Sequence, residues 1–125
     1  MKLSDLNARL VARVAPCAEM PNGGSRTVYS LAEADGVMFQ CPQCAAGKPV
    51  VEEDGKRFVR GAHYIMCWFR GRVPDDVDPR PGRWTPSGTG LADLTFVPGE
   101  PPMAISVLLT SGCCWHGFVR NGEAE

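Results

Sequence analysis

Cysteine and histidine are the residues of this sequence that are best suited to chemistry, and several stand at metal-ligand spacing. Positions 41–44 read Cys-Pro-Gln-Cys, a C-x2-C pair in which two thiolates can bind one Zn²⁺ while backbone N–H groups turn toward sulfur. Positions 113–116 read Cys-Cys-Trp-His and supply a C-x2-H pair beside a turn. A lone C-x2-C can also be a redox pair, but a second pair favours a metal. The predicted zinc ligands are Cys41, Cys44, Cys113 and His116.

Some cysteine and histidine positions leave alternatives open. Cys114 competes with Cys113, because in an extended strand Cys114 and His116 lie on one face. We favour Cys113. His63, the other histidine of the chain, opens a predicted strand and is expected to be an exposed or hydrogen-bonded side chain more than a ligand, with a role in the site as the less favoured alternative. Cys67 stands in an apolar run and is expected to be a small buried side chain.

The number of protein ligands decides what such a zinc ion does. Four nitrogen and sulfur ligands close the site, and closed sites are structural. Three ligands leave a position for water, and a general base is then needed nearby. Asp93 and the acidic run at 75–78 are the candidates for that base. The interpretation that we favour is that Asp93 caps or turns the backbone and that the acidic run is a solvated loop. No H-E-x-x-H and no Ser–His–Asp pattern is present. The sequence therefore favours a structural zinc over an enzyme.

Composition and charge exclude several classes of protein. The chain has 125 residues, with 13 Lys plus Arg against 14 Asp plus Glu, for a net charge of −1. A dedicated nucleic-acid binder usually carries a basic surplus. No apolar run approaches the roughly 18 residues of a membrane span, and we expect no membrane association. The first ten residues lack the apolar region of a secretory signal, so we expect a reducing compartment and no disulfide framework.

The N-terminal segment is predicted to be separate from the zinc-binding part. Leu3, Leu6, Leu10 and Val14 recur three or four positions apart, which predicts an amphipathic helix over residues 3–14. Residues 16–26 are rich in Pro and Gly and resemble a linker. The predicted organisation is a helix and linker over residues 1–26 and a single β-rich zinc-binding domain over 27–125.

From residue 27 onward the pattern is typical of β-strands. Asp54-Gly55, the preferred type I′ turn, joins two matched runs and predicts a hairpin over 50–59. Further strands are predicted at 37–40, 63–70, 104–110 and 115–120, with a turn at 111–112 and the 63–70 strand in a central position. The segment 74–102 holds seven of the eleven prolines and is predicted to be a long loop. Its expected anchors are Trp84, Leu91, Leu94 and Phe96. The predicted fold class is mainly β (small α+β): a zinc-ribbon-like antiparallel sheet with β-hairpins and a short N-terminal helix.

Charge is distributed unevenly despite the balanced total. Residues 56–83 contain seven Lys or Arg and three Asp, a local excess of four positive charges. With Tyr64, Trp68 and Trp84 interleaved, this segment can form an aromatic and basic surface for single-stranded nucleic acid. Cationic protection of sheet edges explains the same residues and is the interpretation that we favour.

Several motifs, taken in order, resemble a family of small bacteriophage and prophage proteins, the domain of unknown function DUF6527. The resemblance covers roughly residues 36–123, from the C-x2-C pair to the closing Gly-Cys-Cys-Trp-His-Gly-Phe and Asn-Gly-Glu. The family's R-W-x-x-S-G-T and D-L-T pieces match residues 83–89 and 93–95, whereas the segment after Thr95 departs from the family pattern. The family places its cysteine where Cys113 stands, with His116 after Trp115. The resemblance implies a phage or mobile-element origin and a small β-rich metal domain, and it implies no activity.

Together these observations predict a zinc-binding phage-type protein with a non-catalytic binding or assembly role. A zinc-dependent hydrolase or nuclease with an open metal site is the alternative, and an accessory single-stranded nucleic-acid binder is the third. We expect a protein partner, contacted around Trp68, Trp84 and Trp115 if those rings are exposed. The expected location is the cytoplasm of a host bacterial cell, or the virion.

Overall fold

Short β-strands make up most of the computed structural model, which describes residues 1–109 and 113–125. In these two ranges a 3-10 turn at Leu3–Asp5 and a one-turn helix α1 at Pro42–Ala45 accompany twelve strands. The strands are β1 (Arg9–Val14), β2 (Gly24–Val28), β3 (Gly36–Gln40), β4 (Val51–Glu53), β5 (Lys56–Phe58), β6 (Tyr64–Trp68), β7 (Thr85–Ser87), β8 (Thr95–Val97), β9 (Val107–Leu108), β10 (His116–Gly117), β11 (Val119–Arg120) and β12 (Glu123–Ala124). The mainly β class is confirmed. None of the described helices is long and apolar enough to cross a membrane.

An antiparallel sheet of four strands, in the order β2-β1-β3-β6, organises the fold. Val37 lies opposite Cys67 and Phe39 lies opposite Ile65, so the inward side chains of β3 and β6 share one face. That face packs against the main hydrophobic core, in which Phe39 is fully buried. The remaining strands form two-stranded ribbons around this core.

The predicted N-terminal helix over residues 3–14 is wrong beyond its first turn. Only Leu3–Asp5 is helical, as a 3-10 turn, and β1 follows it as an inner strand of the sheet. Leu10 faces the main core, whereas Val11 packs with Trp68 on the opposite face. A strand that is buried on both faces loses the alternation of apolar and polar residues. The spacing of the leucines therefore matches a helical period, although most of the segment is a strand.

The segment predicted to be a linker, residues 16–26, leads into the second strand of the same sheet. β2 pairs with β1 along its whole length, with Thr27 opposite Val11. The expected boundary between residues 26 and 27 falls inside β2. Residues 9–14 and 24–28 are thus two of the four strands of the sheet that also contains β3 and β6.

The predicted hairpin at 50–59 is confirmed in its turn and its register. Asp54 and Gly55 both have positive φ, at 52° and 75°, as a type I′ turn requires. The observed pairs are Val51 with Phe58, Glu52 with Arg57 and Glu53 with Lys56. Local turn chemistry and cross-strand charge are sufficient to specify this hairpin.

The later strands are shorter than predicted. Of the segment 63–70, Tyr64–Trp68 forms β6, which ends the strand order instead of lying at its centre. Of the segment 104–110, Val107–Leu108 forms β9, while residue 110 and the predicted turn at 111–112 lie outside the described residues. The segment 115–120 divides into β10 and β11.

The proline-rich segment 74–102 contains an ordered ribbon, formed by β7 and β8. Its predicted anchors reach the core. Leu94 and Phe96 are buried, and Leu91 packs against them from the rim. Trp84 stacks on Phe96 with ring centroids 5.7 Å apart. The segment is therefore packed by its own side chains, as a long loop in a small domain must be.

Asp93 closes the turn between β7 and β8. Its carboxylate accepts hydrogen bonds from the backbone N–H groups of Thr89 and Gly90 and from the Thr89 hydroxyl. These bonds favour the ionised form and lower the pKa of Asp93. The expectation that Asp93 turns the backbone is confirmed.

Candidate metal site

Three cysteines and one histidine converge at one end of the sheet. The ligand atoms of Cys41, Cys44, His63 and Cys113 all lie within 4.8 Å of one another. Sγ of Cys113 is 3.2 Å from Sγ of Cys41 and 3.1 Å from Nε2 of His63. In tetrahedral zinc sites with bonds of about 2.3 Å to sulfur and 2.0–2.1 Å to nitrogen, ligand atoms are roughly 3.6–3.8 Å apart. These two measured pairs would each have to lengthen by roughly half an ångström to match such an ion.

The C-x2-C pair sits where β3 runs into α1. Cys41 is the residue before the helix, and Pro42 occupies its first position, where a missing N–H costs nothing. The backbone N–H groups of Gln43 and Cys44 hydrogen-bond to the sulfur of Cys41. This is the arrangement that the spacing predicted, with the turn of backbone directed at a thiolate.

His63 reaches the cluster through the pairing of β3 with β6. Gln40 lies opposite Tyr64, and one step further along the ladder the N–H of Cys41 donates to the carbonyl oxygen of His63 at 2.8 Å. Antiparallel pairing therefore places His63 beside Cys41. The sequence signal for this ligand is the position of His63 at the start of a strand, which becomes informative once the partner strand is known.

The segment that precedes His63 is held by the buried side chain of Gln40. Nε2 of Gln40 donates to the carbonyl oxygens of Val59 and Ala62, at 2.7 and 3.1 Å. Oε1 accepts from the N–H of Val59 at 2.8 Å. The amide is thus fully used in fixing the approach of His63 to Cys41.

Replacing Gln40 with Leu should destabilise the protein and weaken metal binding together. The N–H of Val59 and the carbonyl oxygen of Ala62 lose their partner, whereas the carbonyl oxygen of Val59 keeps the N–H of Ala62 at 3.4 Å. Each buried orphan costs about 1–3 kcal/mol, so we expect a loss of about 2–4 kcal/mol in the free energy of unfolding. Urea unfolding and zinc competition with a chelator measure the two effects. Gln40→Glu keeps the acceptor but turns a carboxylate toward two carbonyl oxygens, and we expect a larger loss. An unchanged urea midpoint for Gln40→Leu would contradict this role.

Contacts with the C-x2-C segment and with the core hold Cys113 in the cluster. Nε2 of Gln43 donates to the carbonyl oxygen of Cys113 at 2.8 Å. The N–H of Trp115 hydrogen-bonds to the sulfur of Cys113. The Trp115 ring packs edge-to-face on Phe39, with centroids 6.1 Å apart. Cys114, the competing thiol, is exposed and lies outside the four-residue group.

The cluster environment shifts two thiols in opposite directions. Burial raises the pKa of Cys41 to about 12. The hydrogen bond from the His63 ring, helped by one from Cys41, lowers the pKa of Cys113 to about 6. Only one of these two sulfurs therefore favours the thiolate form when no cation is present. A bound cation supplies the charge that keeps several thiolates together.

His116, the predicted fourth ligand, is not part of the cluster. Trp115 is buried against Phe39, and neighbouring residues of a strand point to opposite faces, so His116 faces outward. It lies opposite Leu108 in the β9–β10 ribbon, and its ring lies beside Phe118 at 6.3 Å. The structure brings together Cys41, Cys44 and Cys113 of the predicted set and places His63 where His116 was expected.

The two remaining cysteines lie apart from the cluster. Cys67 is fully buried on β6, and burial alone raises its pKa, as expected for a small apolar side chain. Cys17 is exposed in the segment between β1 and β2. Neither belongs to the group of converging ligand atoms.

The acidic residues considered as a general base also lie elsewhere. Asp93 is engaged in its own turn. Asp76 and Asp78 line a cleft of about 460 Å³ that none of the four cluster residues lines. A second cleft, of about 560 Å³, opens between Leu91 and the segment 121–123, again without a cluster residue. Among the residues that the structure describes, the converging group contains no carboxylate.

Comparison with known proteins finds no match to this chain. The chain matches no family model, no curated protein and no solved structure. Function is therefore inferred from the Cys/His cluster and from the fold that positions it.

Proposed function

We propose that this protein is a small non-catalytic binding or assembly module whose fold is held by a structural zinc ion. The observation that carries the proposal is the convergence of Cys41, Cys44, His63 and Cys113 within 4.8 Å. These residues offer four sulfur or nitrogen ligands, the number that closes a tetrahedral site.

Zinc is the metal that this ligand set favours. Three thiolates and one imidazole form a Cys₃His set, which is typical of structural zinc sites, whereas Mg²⁺ and Ca²⁺ prefer oxygen ligands. The N–H groups of Gln43 and Cys44 directed at Cys41 add the second layer of contacts that orients a thiolate ligand.

The cluster joins parts of the chain that are distant in sequence. Cys41 and His63 belong to the adjacent ends of β3 and β6, and Cys113 belongs to the C-terminal segment. That segment also holds the start of the chain, because Lys2 forms a β-bridge with Glu123 and the Met1 amino group donates to Ala124. A metal ion here ties the four-stranded sheet to both ends of the described chain.

A zinc-dependent hydrolase draws less support from this geometry. Catalytic zinc keeps one coordination position open for water and needs a base close to that water. Four ligands leave no such position, and Asp93 and Asp76 serve other contacts or surfaces.

A nucleic-acid role also draws less support, because the arginines of the 56–83 segment are engaged within the protein. Arg57 pairs with Asp5 at 2.8 Å, and Arg80 pairs with Asp78 at 3.0 Å. The others bind a carboxylate or backbone carbonyl oxygens: Arg60, Arg70, Arg72 and Arg83. The stacking platform is weak as well, since Trp68 and Trp115 are only 6% and 5% exposed and Trp84 stacks on Phe96. The tryptophan rings are expected to contact a partner only if they are exposed, and the rings of Trp68 and Trp115 are buried.

We also propose that the partner is a protein, in phage or prophage biology and in the host cytoplasm or the virion. The support for this context is the motif resemblance over residues 36–123.

The two histidines provide the decisive test of the metal site. In untagged protein we expect one zinc per chain, retained in His116→Ala and lost in His63→Ala, because only the His63 ring lies among the thiols. Metal content by plasma mass spectrometry, with circular dichroism on the same samples, measures the result.

The adjacent cysteines give a matched pair for the same experiment. Cys113→Ser should lose zinc, whereas Cys114→Ser should keep it, as should Cys17→Ser at a distant exposed position. Absence of zinc from the wild type would overturn the proposal. A folded His63→Ala that retains zinc would replace the closed site by an open one and restore the hydrolase alternative.

A further inference from the structure

The thiols of the cluster differ in their access to solvent. Cys41 is fully buried, whereas Cys44 and Cys113 are both partly exposed. The sulfur atoms of Cys41 and Cys113 are 3.2 Å apart, and Cys113 also contacts the exposed side chain of His63. A small oxidant from solution therefore meets Cys113 before Cys41, and Cys41 is already in place behind it.

We propose that Cys113 is a site of oxidation by hydroperoxides, with Cys41 as the resolving thiol, so that oxidation exchanges the metal for a Cys41–Cys113 disulfide. This inference rests on the proposed zinc site and adds its regulation.

The chemistry balances in two steps. The sulfur of Cys113 attacks the hydroperoxide, the O–O bond breaks, and a sulfenic acid and an alcohol or water result. The sulfur of Cys41 then attacks the sulfenic sulfur, the S–O bond breaks, and the leaving hydroxide takes a proton from solvent and departs as water. In sum, two zinc-bound thiolates, one hydroperoxide and two protons from solvent give one disulfide, one alcohol or water, one water and the released Zn²⁺. The two sulfurs lose two electrons, which reduce the peroxide.

The position of the disulfide decides what happens to the fold. The Cys41–Cys113 bond consumes two of four metal ligands, so the ion leaves. The same bond connects the end of β3 to the C-terminal segment, which is the connection that the metal otherwise makes. A disulfide that closes so long a loop also restricts the unfolded chain strongly. The oxidised chain should therefore release zinc and stay folded, whereas the reduced chain without zinc should unfold.

A disulfide within the C-x2-C pair would have a different consequence. Cys41 and Cys44 both lie in the short segment around α1, so a bond between them leaves the C-terminal segment untied. The direct sulfur contact of Cys41 is with Cys113, which selects the long-range product.

The test treats the zinc-loaded full chain with hydrogen peroxide. Zinc release is followed with a colorimetric chelator, folding by circular dichroism, and disulfides by tandem mass spectrometry of tryptic peptides. Because trypsin does not cleave before Pro49, Cys41 and Cys44 share the peptide 27–56, and Cys113 falls in the peptide 84–120. We expect one zinc released per chain, a crosslink between these peptides at Cys41 and Cys113, and full reversal by dithiothreitol with added zinc.

Cysteine variants distinguish a failure of the proposed oxidation from a failure of the proposed zinc site. Cys44→Ser should still form the crosslink, and Cys41→Ser and Cys113→Ser should not. In the wild type, a Cys41–Cys44 or Cys44–Cys113 bond, or irreversible oxidation without a disulfide, would overturn the inference and leave the zinc site intact. A wild type that holds no zinc but forms the Cys41–Cys113 bond would overturn the zinc site and the exchange of metal for disulfide, and would leave only the thiol oxidation.

Discussion

Removal of the metal should unfold this protein. Apparent binding free energies of structural zinc are about 10–16 kcal/mol at neutral pH. The whole stability of a domain of this size is about 5–15 kcal/mol. Because the two quantities are comparable, the chain without its metal should have little or no stability left.

The short strands of this fold should make the loss of structure cooperative. Most ribbons have strands of two or three residues, which cannot hold by themselves. The C-terminal segment packs on the core through Trp115 and Val119, and Cys113 immediately precedes them. Without a metal, no metal–sulfur bonds hold Cys41 and its neighbouring ligands together, and only their weak sulfur contacts remain.

Chelation and one substitution test the same expectation independently. Excess chelator under reducing conditions should abolish the near-ultraviolet circular dichroism signal and the cooperative urea transition, and zinc should restore both. Cys41→Ser should give the same unfolded state with or without zinc, whereas Cys17→Ser should resemble the wild type. A chelated chain that stays folded and unfolds cooperatively would contradict a structural role for the metal.

The elements that could be predicted from the sequence are those that local chemistry specifies. The hairpin at 50–59 follows from Asp54-Gly55 and from paired charges that lie a few residues apart. The C-x2-C pair and the turn of backbone around it are equally local. Asp93 also acts on its own turn, through Thr89 and Gly90. No knowledge of the rest of the fold is needed for any of these.

The elements that escaped prediction depend on contacts between distant residues. The segment of β1 has the apolar spacing of a helix because Leu10 and Val11 are buried on opposite faces, by strands that lie later in the chain. His63 enters the cluster because β3 and β6 pair in one particular register. His116 has the better local spacing, yet burial of Trp115 turns it outward.

A buried arginine gives a second large expected effect, far from the metal site. Arg83 is only 8% exposed, and its guanidinium donates to four backbone carbonyl oxygens in the preceding loop. The acceptors are those of Pro74, Val77, Pro79 and Gly82, at 2.8–3.0 Å. Prolines have no N–H to contribute, so a loop that contains three of them needs another source of donors. The planar fork of Arg83 supplies these donors.

Replacing Arg83 with Met should lower the free energy of unfolding by about 2–4 kcal/mol. Hydrogen bonds from a charged group contribute about 1.5–3 kcal/mol each, but the freed carbonyls partly regain water, and removal of a buried charge offsets part of the loss. Arg83→Lys should lose most of the same stability, because one ammonium group cannot reach acceptors on both sides of the fork.

The matched control is Arg80→Met, an exposed arginine paired with Asp78, for which about 0–1 kcal/mol is expected. Urea unfolding followed by tryptophan fluorescence measures these differences, since Trp68 donates to the carbonyl of Asp78 in the same loop. Zinc content should stay at one per chain in all three variants, and an Arg83→Met protein as stable as Arg80→Met would show that the loop holds its shape without the guanidinium.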